Sequence, residues 1–278
     1  MKYLNLGCGD RFHPDWENVD LYPTGPGVRV CDLRKKTPYP DETFDVVYHS
    51  HVLEHFPRRA AFNLLLDCYR VLKHGGVVRV VVPDLEQITR LYLEALERAS
   101  KGEPGWNHNY EWMVMEMYDQ CVREGSNGEF VEYCLQDPIP NPDFIRSRLG
   151  VYGDAFLEGF RRTQPAPAVV PVKSGTAWEY VLRNPGKVIL NKLGKTLLGR
   201  SNWEALRVGR YRQSGQIHMW MYDRYSLAKL LEKAGFSNPQ QVGSTESRIP
   251  AWSTYNLDTD PDGRTYKADS IFMEAIKT

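Results

Sequence analysis

Six consecutive residues, VVRVVV at positions 77–82, constrain the fold of this 278-residue chain more than any other feature. β-Branched residues favour strands, and a strand that is apolar on both faces is typical of a parallel sheet covered on both sides. Parallel strands need crossover connections, which are usually helices. The run therefore predicts an α/β protein whose neighbouring strands come from separate parts of the chain.

Shorter strand and helix patterns surround this run in the order that such a sheet requires. Strand patterns occupy residues 3–6, 17–21, 28–30, 44–48, 240–242 and 270–276. Apolar residues recur at helical spacing over residues 61–72, 85–96 and 227–234. Asp84 and Asp223 stand where they would cap two of these helices, and Gly75 with Gly76 is expected to end the first helix. The chain thus predicts right-handed βαβ crossovers.

Strand and helix patterns stop alternating after about residue 100. Residues 101–215 are rich in Trp, Tyr, Pro and Met and show helical pieces without a regular order. This change indicates a large, mainly helical insertion after the fifth strand. We expect residues 1–100 and 216–278 to form one α/β domain, and residues 101–215 to form an inserted substrate-binding or lid subdomain.

The insertion and the helix that leads into it carry opposite charges in two stretches. Residues 84–137 hold 12 acidic and 4 basic residues, whereas residues 183–212 hold 8 basic residues and 1 acidic residue. The basic stretch also contains several Leu, Ile and Val residues, which is typical of an amphipathic helix at a membrane surface or near an anionic substrate. The alternative is a helix that packs on the core with solvated lysines. Three glycines, Gly186, Gly194 and Gly199, weaken a helical interpretation.

Composition excludes several classes of protein. Lys plus Arg and Asp plus Glu each number 35, so a net charge of zero argues against attraction of the whole protein to nucleic acid. The sequence contains no run of 18 apolar residues, so we predict no membrane span. The first residues lack the pattern of a secretory signal, so we predict none. Five cysteines without a CxxC pair favour reduced thiols. We expect a cytoplasmic protein, with peripheral contact of the inner membrane face through residues 183–212 as an open alternative.

The first predicted strand runs into two glycines separated by one residue, Gly7 and Gly9. Open α/β sheets bind cofactors at the carboxyl ends of their strands, and bare backbone there lets a ligand approach closely. Asp20 ends the second strand and is placed to bind ribose hydroxyls. Asp32 follows the third strand and is placed to accept a hydrogen bond from an adenine amino group, with the Leu33 N–H near the ring. Two glycines after the first strand, followed by an acidic residue at the end of each of the next two strands, predict a nucleoside cofactor.

Five segments in this order resemble the motifs of the class I S-adenosylmethionine (SAM)-dependent methyltransferases. They are LNLGCG (4–9), NVD (18–20), CDL (31–33), FDVVYHSHVLEHF (44–56) and LKHGGVVRVVVPD (72–84). The resemblance covers about residues 1–98 and 216–278. It implies a doubly wound, mostly parallel seven-stranded sheet, the Rossmann-like methyltransferase fold, in which SIFMEAI (270–276) is the last, antiparallel strand. It also implies SAM as the cofactor.

The resemblance further implies which residues bind the cofactor. They are Asn5, Gly7, Cys8, Gly9, Asp20, Leu21, Asp32, Leu33, His49 and Ser50. The glycine motif, LEH at 53–55 and HMWMYD at 218–223 resemble a bacterial branch of the family that is often associated with polysaccharide and lipopolysaccharide biosynthesis. This implies O-methylation of a sugar or glycan acceptor. A methyltransferase for a small non-sugar acceptor and a non-catalytic SAM-binding module remain as alternatives.

The chain departs from the family pattern near its glycine loop. Arg11 and Phe12 stand where a third small residue is usual, which also argues against a dinucleotide-binding oxidoreductase with G-x-G-x-x-G. Only eight residues separate Gly9 from Asn18, so the first crossover helix is expected to be very short or absent. The N-terminal helices that often cover the active site in this family are also missing, and the insertion is expected to supply that cover.

Three residues are candidates for a general base that removes the proton of an acceptor hydroxyl: His51, Asp84 and His218. A sugar hydroxyl is a poor nucleophile at neutral pH, and a positioned base adds about 10²–10⁴-fold to the rate. The alternatives are a helix cap for Asp84 and a packed or surface side chain for each histidine. His49 and His51, with His55 nearby, also have metal-ligand spacing, but no cysteine completes a site, and we predict no metal.

Overall fold

The structure is a computed structural model that describes residues 1–125, 128–163 and 196–278, with the backbone alone at residues 160–163. Its strands join into one sheet. They are β1 (Tyr3–Leu6), β2 (Glu17–Asp20), β3 (Val28–Val30), β4 (Phe44–Ser50), β5 (Leu72–Pro83), β6 (Phe236–Val242) and β7 (Ser270–Lys277). Each of the seven predicted strands is thus present, and five of them extend beyond or end short of their predicted bounds.

Helices flank the sheet and make up the insertion. They are α1 (Arg58–Val71), α2 (Leu85–Ser100), α3 (Trp106–Val122), α4 (Glu129–Cys134), α5 (Pro142–Leu149), α6 (Val151–Thr163), α7 (Arg200–Arg212) and α8 (Arg224–Lys233). Short 3-10 helices lie at Leu53–His55 and Trp252–Tyr255. Among the described residues, no helix has the length and apolar character needed to cross a membrane.

The strand order is β3-β2-β1-β4-β5-β7-β6. Strands β1 to β5 pair in parallel, and β7 runs antiparallel to both of its neighbours. The predicted α/β fold, with a mostly parallel seven-stranded sheet and an antiparallel last strand, is confirmed. The order reverses direction between β1 and β4, and open α/β sheets bind their ligands outside the carboxyl ends of strands at such a point.

Separate apolar clusters cover the two faces of the sheet. On one face, α1 and α8 pack against a cluster that includes Leu6, Val47 and Val80. On the other face, Trp16 and Trp252 belong to a cluster with strand residues of β4, β5 and β7. The insertion has a core of its own, built around residues such as Trp112, Met113, Ile145 and Leu157. The predicted domain boundaries at residues 100 and 216 stay predictions.

The glycine pair after the first helix does not end it, and that expectation was wrong. Helix α1 ends at Val71, and Gly75 and Gly76 lie inside β5. Gly75 has a φ of +77°, and the pairing register with β4 shifts between Phe44 and Val46. The pair therefore bends the start of a long strand, which is a known use of glycine within a sheet.

The connection between β1 and β2 contains no helix, as expected from its length. Residues 7–16 form turns and irregular backbone. The side-chain amide of Asn5 holds this segment by donating hydrogen bonds to the Arg11 carbonyl at 3.0 Å and to Oδ1 of Asn18 at 3.2 Å. The buried amide of Asn5 thus holds in place a connection that contains a crossover helix in other parallel sheets.

Arg79, the one polar residue of the central β5 run, is fully buried. Its guanidinium donates to Oδ2 of Asp258 at 2.8 Å and to Oε1 of Glu274 at 2.8 Å. It also donates to the carbonyl oxygens of Gly243 and Glu246, at 2.9 Å each. The guanidinium therefore ties β5 to β7 and to the 243–258 segment on one face of the sheet.

Candidate cofactor and acceptor sites

The glycine loop is held tightly against the start of the sheet. The backbone N–H groups of Gly7 and Cys8 both donate to the Val19 carbonyl, at 2.8 and 3.1 Å. Gly7 has a φ of +65°, and a Cβ atom there would stand 2.4 Å from Cγ2 of Val52. Only glycine fits this position without strain, because both the backbone conformation and the space exclude a side chain.

Asp20 and Gly9 form the part of the loop that is open to a ligand. Oδ2 of Asp20 accepts a hydrogen bond from the Gly9 N–H at 2.9 Å, and Oδ1 accepts one from the Tyr22 N–H at 3.1 Å. A Cβ atom at Gly9 would meet nothing within 4 Å, so the backbone there is bare. A carboxylate oxygen can accept more than one hydrogen bond, so this carboxylate still has capacity for two ribose hydroxyls. The pair fits the nucleoside part of SAM.

Asp32 lies at the same edge of the sheet, after β3. Oδ1 accepts from the Arg34 Nε at 2.8 Å and Oδ2 from its Nη2 at 3.0 Å. Hydrogen bonding to this guanidinium holds the pKa of the Asp32 carboxyl below its usual range. The Arg34 side chain is 60% exposed, so it can rotate away at little cost when another donor takes its place.

The remaining predicted cofactor residues differ in accessibility. Leu21 is exposed, Leu33 and Ser50 are half-buried, and Cys8 is buried. Burial raises the pKa of the Cys8 thiol to about 11, which leaves it protonated and chemically inert at neutral pH. The assignment of these residues to the cofactor stays a prediction.

His49 is completely enclosed. It lies on β4 beside Leu6 of β1 and Val80 of β5, and neither ring nitrogen has a hydrogen-bond partner among the residues that the structure describes. Burial lowers the pKa of its imidazole to about 4, so the ring is neutral at physiological pH. The structure therefore places this residue in the interior of the domain, and its contact with a cofactor stays a prediction.

A cavity of about 330 Å³ lies between the sheet edge and the insertion. Its polar lining includes His51, His55, Glu116, His218, Lys267 and Asp269. Its aromatic lining is Trp112, Phe130, Tyr152 and Phe156, all from helices of the insertion. Helices from residues 106–163 thus supply one wall of a chamber whose other wall is the carboxyl edge of the sheet, and the role of the insertion as a cover stays a prediction. The size is that of a small-molecule pocket.

The segment at residues 217–222 crosses this edge and is fixed to it by backbone hydrogen bonds. The N–H groups of Met219 and Trp220 donate to the Glu54 carbonyl at 2.7 and 3.2 Å. The Leu85 N–H donates to the Tyr222 carbonyl at 2.9 Å. These bonds bring His218 to the 3-10 helix at residues 53–55, which lies more than 160 residues earlier in the chain.

His51 stands at the point where β4 ends and the cavity begins. Its φ is +54°, which is unusual for a residue other than glycine, asparagine or aspartate and is found preferentially at functional sites. Nδ1 lies 3.2 Å from Oε1 of Glu54, an ion-pair distance, although the angle is not that of a hydrogen bond. Nε2 lies 2.9 Å from Oγ of Ser270. The ring is therefore held between a carboxylate and a hydroxyl.

Glu54 is fully buried next to three imidazoles. Burial would raise the pKa of its carboxyl, but the imidazoles of His51, His55 and His218 outweigh that effect and hold the pKa below its ordinary value. Burial lowers the pKa of His218 to about 3. At neutral pH the cluster thus combines a carboxylate with a neutral His218.

Asp84 caps α2, as the sequence indicated. Its Oδ1 accepts from the backbone N–H groups of Glu86 at 3.0 Å and Gln87 at 3.2 Å. Burial raises the pKa of the Asp84 carboxyl. The two hydrogen bonds from the first turn of α2 directly support the alternative interpretation of this residue as a helix cap.

Several polar residues of the cavity were not singled out from the sequence. Burial lowers the pKa of Lys267, whose Nζ lies 5.2 Å from the centre of the Tyr152 ring. Glu116 forms a buried ion pair with Arg148 of α5. No local pattern marks these residues, because each lies in a loop or a helix whose position depends on distant packing.

Residues 15–80 match the family model described as "Methyltransferase domain". This segment contains Asp20, Asp32 and the whole of β4 with the residues that follow it. The match and the strand order bear out the predicted enzyme class, a SAM-dependent methyltransferase, and its cofactor SAM. No curated protein matches this chain.

Solved structures resemble the chain only distantly. A SAM-dependent methyltransferase from Archaeoglobus fulgidus is 12% identical over 100% of this chain and 86% of its own, with a TM-score of 0.39. A putative methyltransferase complexed with the Haloferax volcanii activator Trm112 is 12% identical over 99% and 81%, with a TM-score of 0.38. The PH0226 protein from Pyrococcus horikoshii is 24% identical over 32% and 53%, with a TM-score of 0.27. The chain thus spans about half of that last protein.

Proposed function

We propose that this protein transfers the methyl group of SAM to a hydroxyl oxygen of a sugar or glycan, with His51 as the general base. The observation that carries the proposal is the position of His51. Its imidazole lies at the carboxyl end of β4, lines the cavity and is held next to the buried carboxylate of Glu54. An imidazole at this position supports a general base between the cofactor edge of the sheet and the chamber that would hold the acceptor.

SAM supplies a methyl group that is already activated by its positively charged sulfur. Gly9 and Asp20 would hold the nucleoside of the cofactor, and the edge of the sheet would orient its sulfur towards the chamber. The Glu54 carboxylate favours a proton on Nδ1 of His51, which leaves a lone pair on Nε2. Nε2 lies 2.9 Å from Oγ of Ser270, and an acceptor hydroxyl that replaces this contact would give its proton to Nε2 as its oxygen attacks the methyl group and the carbon–sulfur bond breaks.

The lining of the cavity supports a sugar as the acceptor. Half-buried aromatic rings of the lining, such as Tyr152 and Phe130, would pack on the C–H faces of a sugar, while Glu116, Lys267 and Asp269 offer charged hydrogen-bond partners for hydroxyls. An apolar acceptor would place apolar atoms against these charged groups and offer them no hydrogen bond, which is unfavourable in an enclosed site. The polar lining thus favours a polyhydroxylated molecule over a small apolar one.

The test is the release of S-adenosylhomocysteine with a panel of sugars, glycans and small non-sugar alcohols. We expect turnover with a sugar, and we expect His51→Gln to lower kcat by about 10²–10⁴-fold while SAM affinity stays within a few-fold. His74→Gln is the matched control, because the His74 side chain is 71% exposed. Turnover with non-sugar alcohols alone would refute the acceptor class. SAM binding without turnover on any acceptor would favour the non-catalytic module.

We also propose that the protein acts in the cytoplasm and contacts the membrane surface through residues 183–212. Residues 183–195 lie outside the described residues. In the described part, Leu197 and Leu198 are exposed beside α7, which carries several arginines, whereas Trp203 is buried. Flotation with vesicles that contain anionic lipid tests this contact. Association that weakens as salt increases is expected, and no association at low salt would refute it.

A further inference from the structure

We propose that Glu54, His55 and His218 bind a divalent transition-metal ion beside the acceptor cavity. One ligand atom of each residue, a carboxylate oxygen and two ring nitrogens, lies within 4.8 Å of the other two. Among the described residues this is the group whose side chains converge in this way. The sequence analysis predicted no metal, because it considered only the histidines near β4 and could not place His218 among them.

The Glu54 carboxylate indicates that a ligand belongs here. The residue is fully buried, and neither carboxylate oxygen receives a hydrogen bond from any described group. The hydroxyl of Tyr222, another buried residue, also has no partner. A buried carboxylate without donors is costly, and buried polar groups of this kind call for an explanation such as an ion. A cation at this position would compensate the charge.

The imidazole of His55 is already oriented as a metal ligand. Nδ1 of His55 lies 3.0 Å from the Ile217 carbonyl oxygen. A carbonyl can only accept, so Nδ1 carries the proton and Nε2 carries the free lone pair. Metal-bound histidines commonly donate their second nitrogen to a backbone carbonyl in this way. The His218 ring is packed edge-on against His55, with ring centres 5.0 Å apart.

The backbone holds the ligands from the two distant segments together. The hydrogen bonds from Met219 and Trp220 end on the carbonyl of Glu54 itself, so His218 cannot move away from the carboxylate without breaking them. Ligand atoms around a tetrahedral ion with bonds of about 2.1 Å are about 3.4 Å apart. Side-chain rotations that move the ligand atoms by about 1 Å therefore close the site. One carboxylate oxygen can serve the ion while the other stays near His51.

The donor set determines the kind of ion. Mg²⁺ and Ca²⁺ prefer oxygen ligands, whereas two imidazoles and one carboxylate suit Zn²⁺, Co²⁺ or Fe²⁺. Three protein ligands leave at least one position open. His55 and His218 both line the cavity, so the open position would face it. If the proposed function holds, an acceptor hydroxyl bound there would lose its proton to His51 more readily.

The test uses the full chain without SAM or acceptor, so its result does not depend on methyl transfer. Protein treated with a chelator and then dialysed is titrated with Co²⁺, and the visible absorption of the bound ion is recorded. Zn²⁺ content is measured separately by elemental analysis. We expect about one ion per chain in the wild type. We expect at least a tenfold loss of affinity in Glu54→Gln and in His218→Gln, with His74→Gln unchanged.

The outcome is decisive even if a variant folds poorly, because the wild-type titration stands on its own. Absence of a saturable Co²⁺ spectrum in the wild type would overturn the proposal. Unchanged affinity in folded Glu54→Gln and His218→Gln proteins would overturn it too. A metal-free enzyme that methylates a sugar at full rate would leave the proposed function intact and remove only the assisting role of the ion.

Discussion

The α-carbon of Gly7 faces the side chain of Val52 so closely that a Cβ atom would stand 2.4 Å from Cγ2 of that valine. We therefore expect Gly7→Ala to lower the free energy of unfolding by about 2–4 kcal/mol, from the positive φ and the collision together. Val52→Ala in the same chain should restore part of the loss, which urea denaturation measures. Additive losses in the double variant would contradict this account.

Asp20 is expected to determine the affinity for SAM. In Asp20→Asn the amide lacks the charge that strengthens hydrogen bonds from ribose hydroxyls, and a hydrogen bond to a charged group contributes about 1.5–3 kcal/mol. Titration calorimetry should show SAM affinity reduced about 10–100-fold. Asp15→Asn, at a side chain that is 74% exposed, is the matched control. Equal affinities for the two variants would argue against ribose binding by Asp20.

Asp84 is expected to act through its helix cap. Asn is as good a cap as Asp, whereas Ala is not, so Asp84→Ala should cost about 0.5–2 kcal/mol of stability and Asp84→Asn much less. If Asp84 serves only as a helix cap, kcat of Asp84→Asn stays within a few-fold of the wild-type value. A stable Asp84→Asn variant with kcat lowered a hundredfold would instead make this carboxylate the base. Thermal denaturation and initial rates together decide between the two.

His49 makes stability depend on pH. Its pKa is about 4 in the folded chain and about 6.5 when unfolded, so the unfolded chain binds the proton first as pH falls. The stability present above pH 6.5 is thus lost as pH falls towards 4, by about 3 kcal/mol. In the presence of a chelator, His49→Leu should show a flatter stability curve over this range in urea titrations. The exposed His74→Gln serves as the control, and parallel curves for His49→Leu and wild type would refute the effect.

Arg79 is expected to be the most sensitive position of β5. Arg79→Met removes the guanidinium and leaves the carboxylates of Asp258 and Glu274 buried without their partner, which should cost about 3–5 kcal/mol. Arg29→Met breaks the exposed Arg29–Glu17 pair and should cost under about 1 kcal/mol. Denaturation of both variants with guanidinium chloride measures the difference between their losses of unfolding free energy. Similar denaturation midpoints for Arg79→Met and Arg29→Met would show that the buried ion pairs of Arg79 contribute no more to stability than an exposed pair.

Much of the α/β domain could be predicted because its signals are local. A strand such as β1 is marked by a few apolar residues and the glycines that follow it, and a cap such as Asp223 acts within one helical turn. The start of β5 was missed for the same reason. A glycine pair after a helix usually ends it, and only the pairing with β4 shows that Gly75 and Gly76 belong to a strand.

The contacts that complete the site could not be predicted from one sequence. Arg79 appeared only as one letter in an apolar run, because Asp258 lies 179 residues away. Glu54 appeared only as one letter of the LEH segment at 53–55, since nothing near it in the chain shows that its carboxylate is buried among imidazoles. The histidines were noticed individually, but it is the 217–222 segment that brings His218 to them.

The crossing of the 217–222 segment over the sheet edge has a consequence for how the enzyme comes into being. Every residue predicted to bind the nucleoside lies within the first 50 residues, whereas Lys267, Asp269 and Ser270 are synthesised more than 200 residues later. A nascent chain therefore carries its donor-binding loop long before it possesses a chamber for the acceptor. A chain that stops before Lys267 would hold every residue predicted to bind the nucleoside but would lack part of the lining of the acceptor chamber.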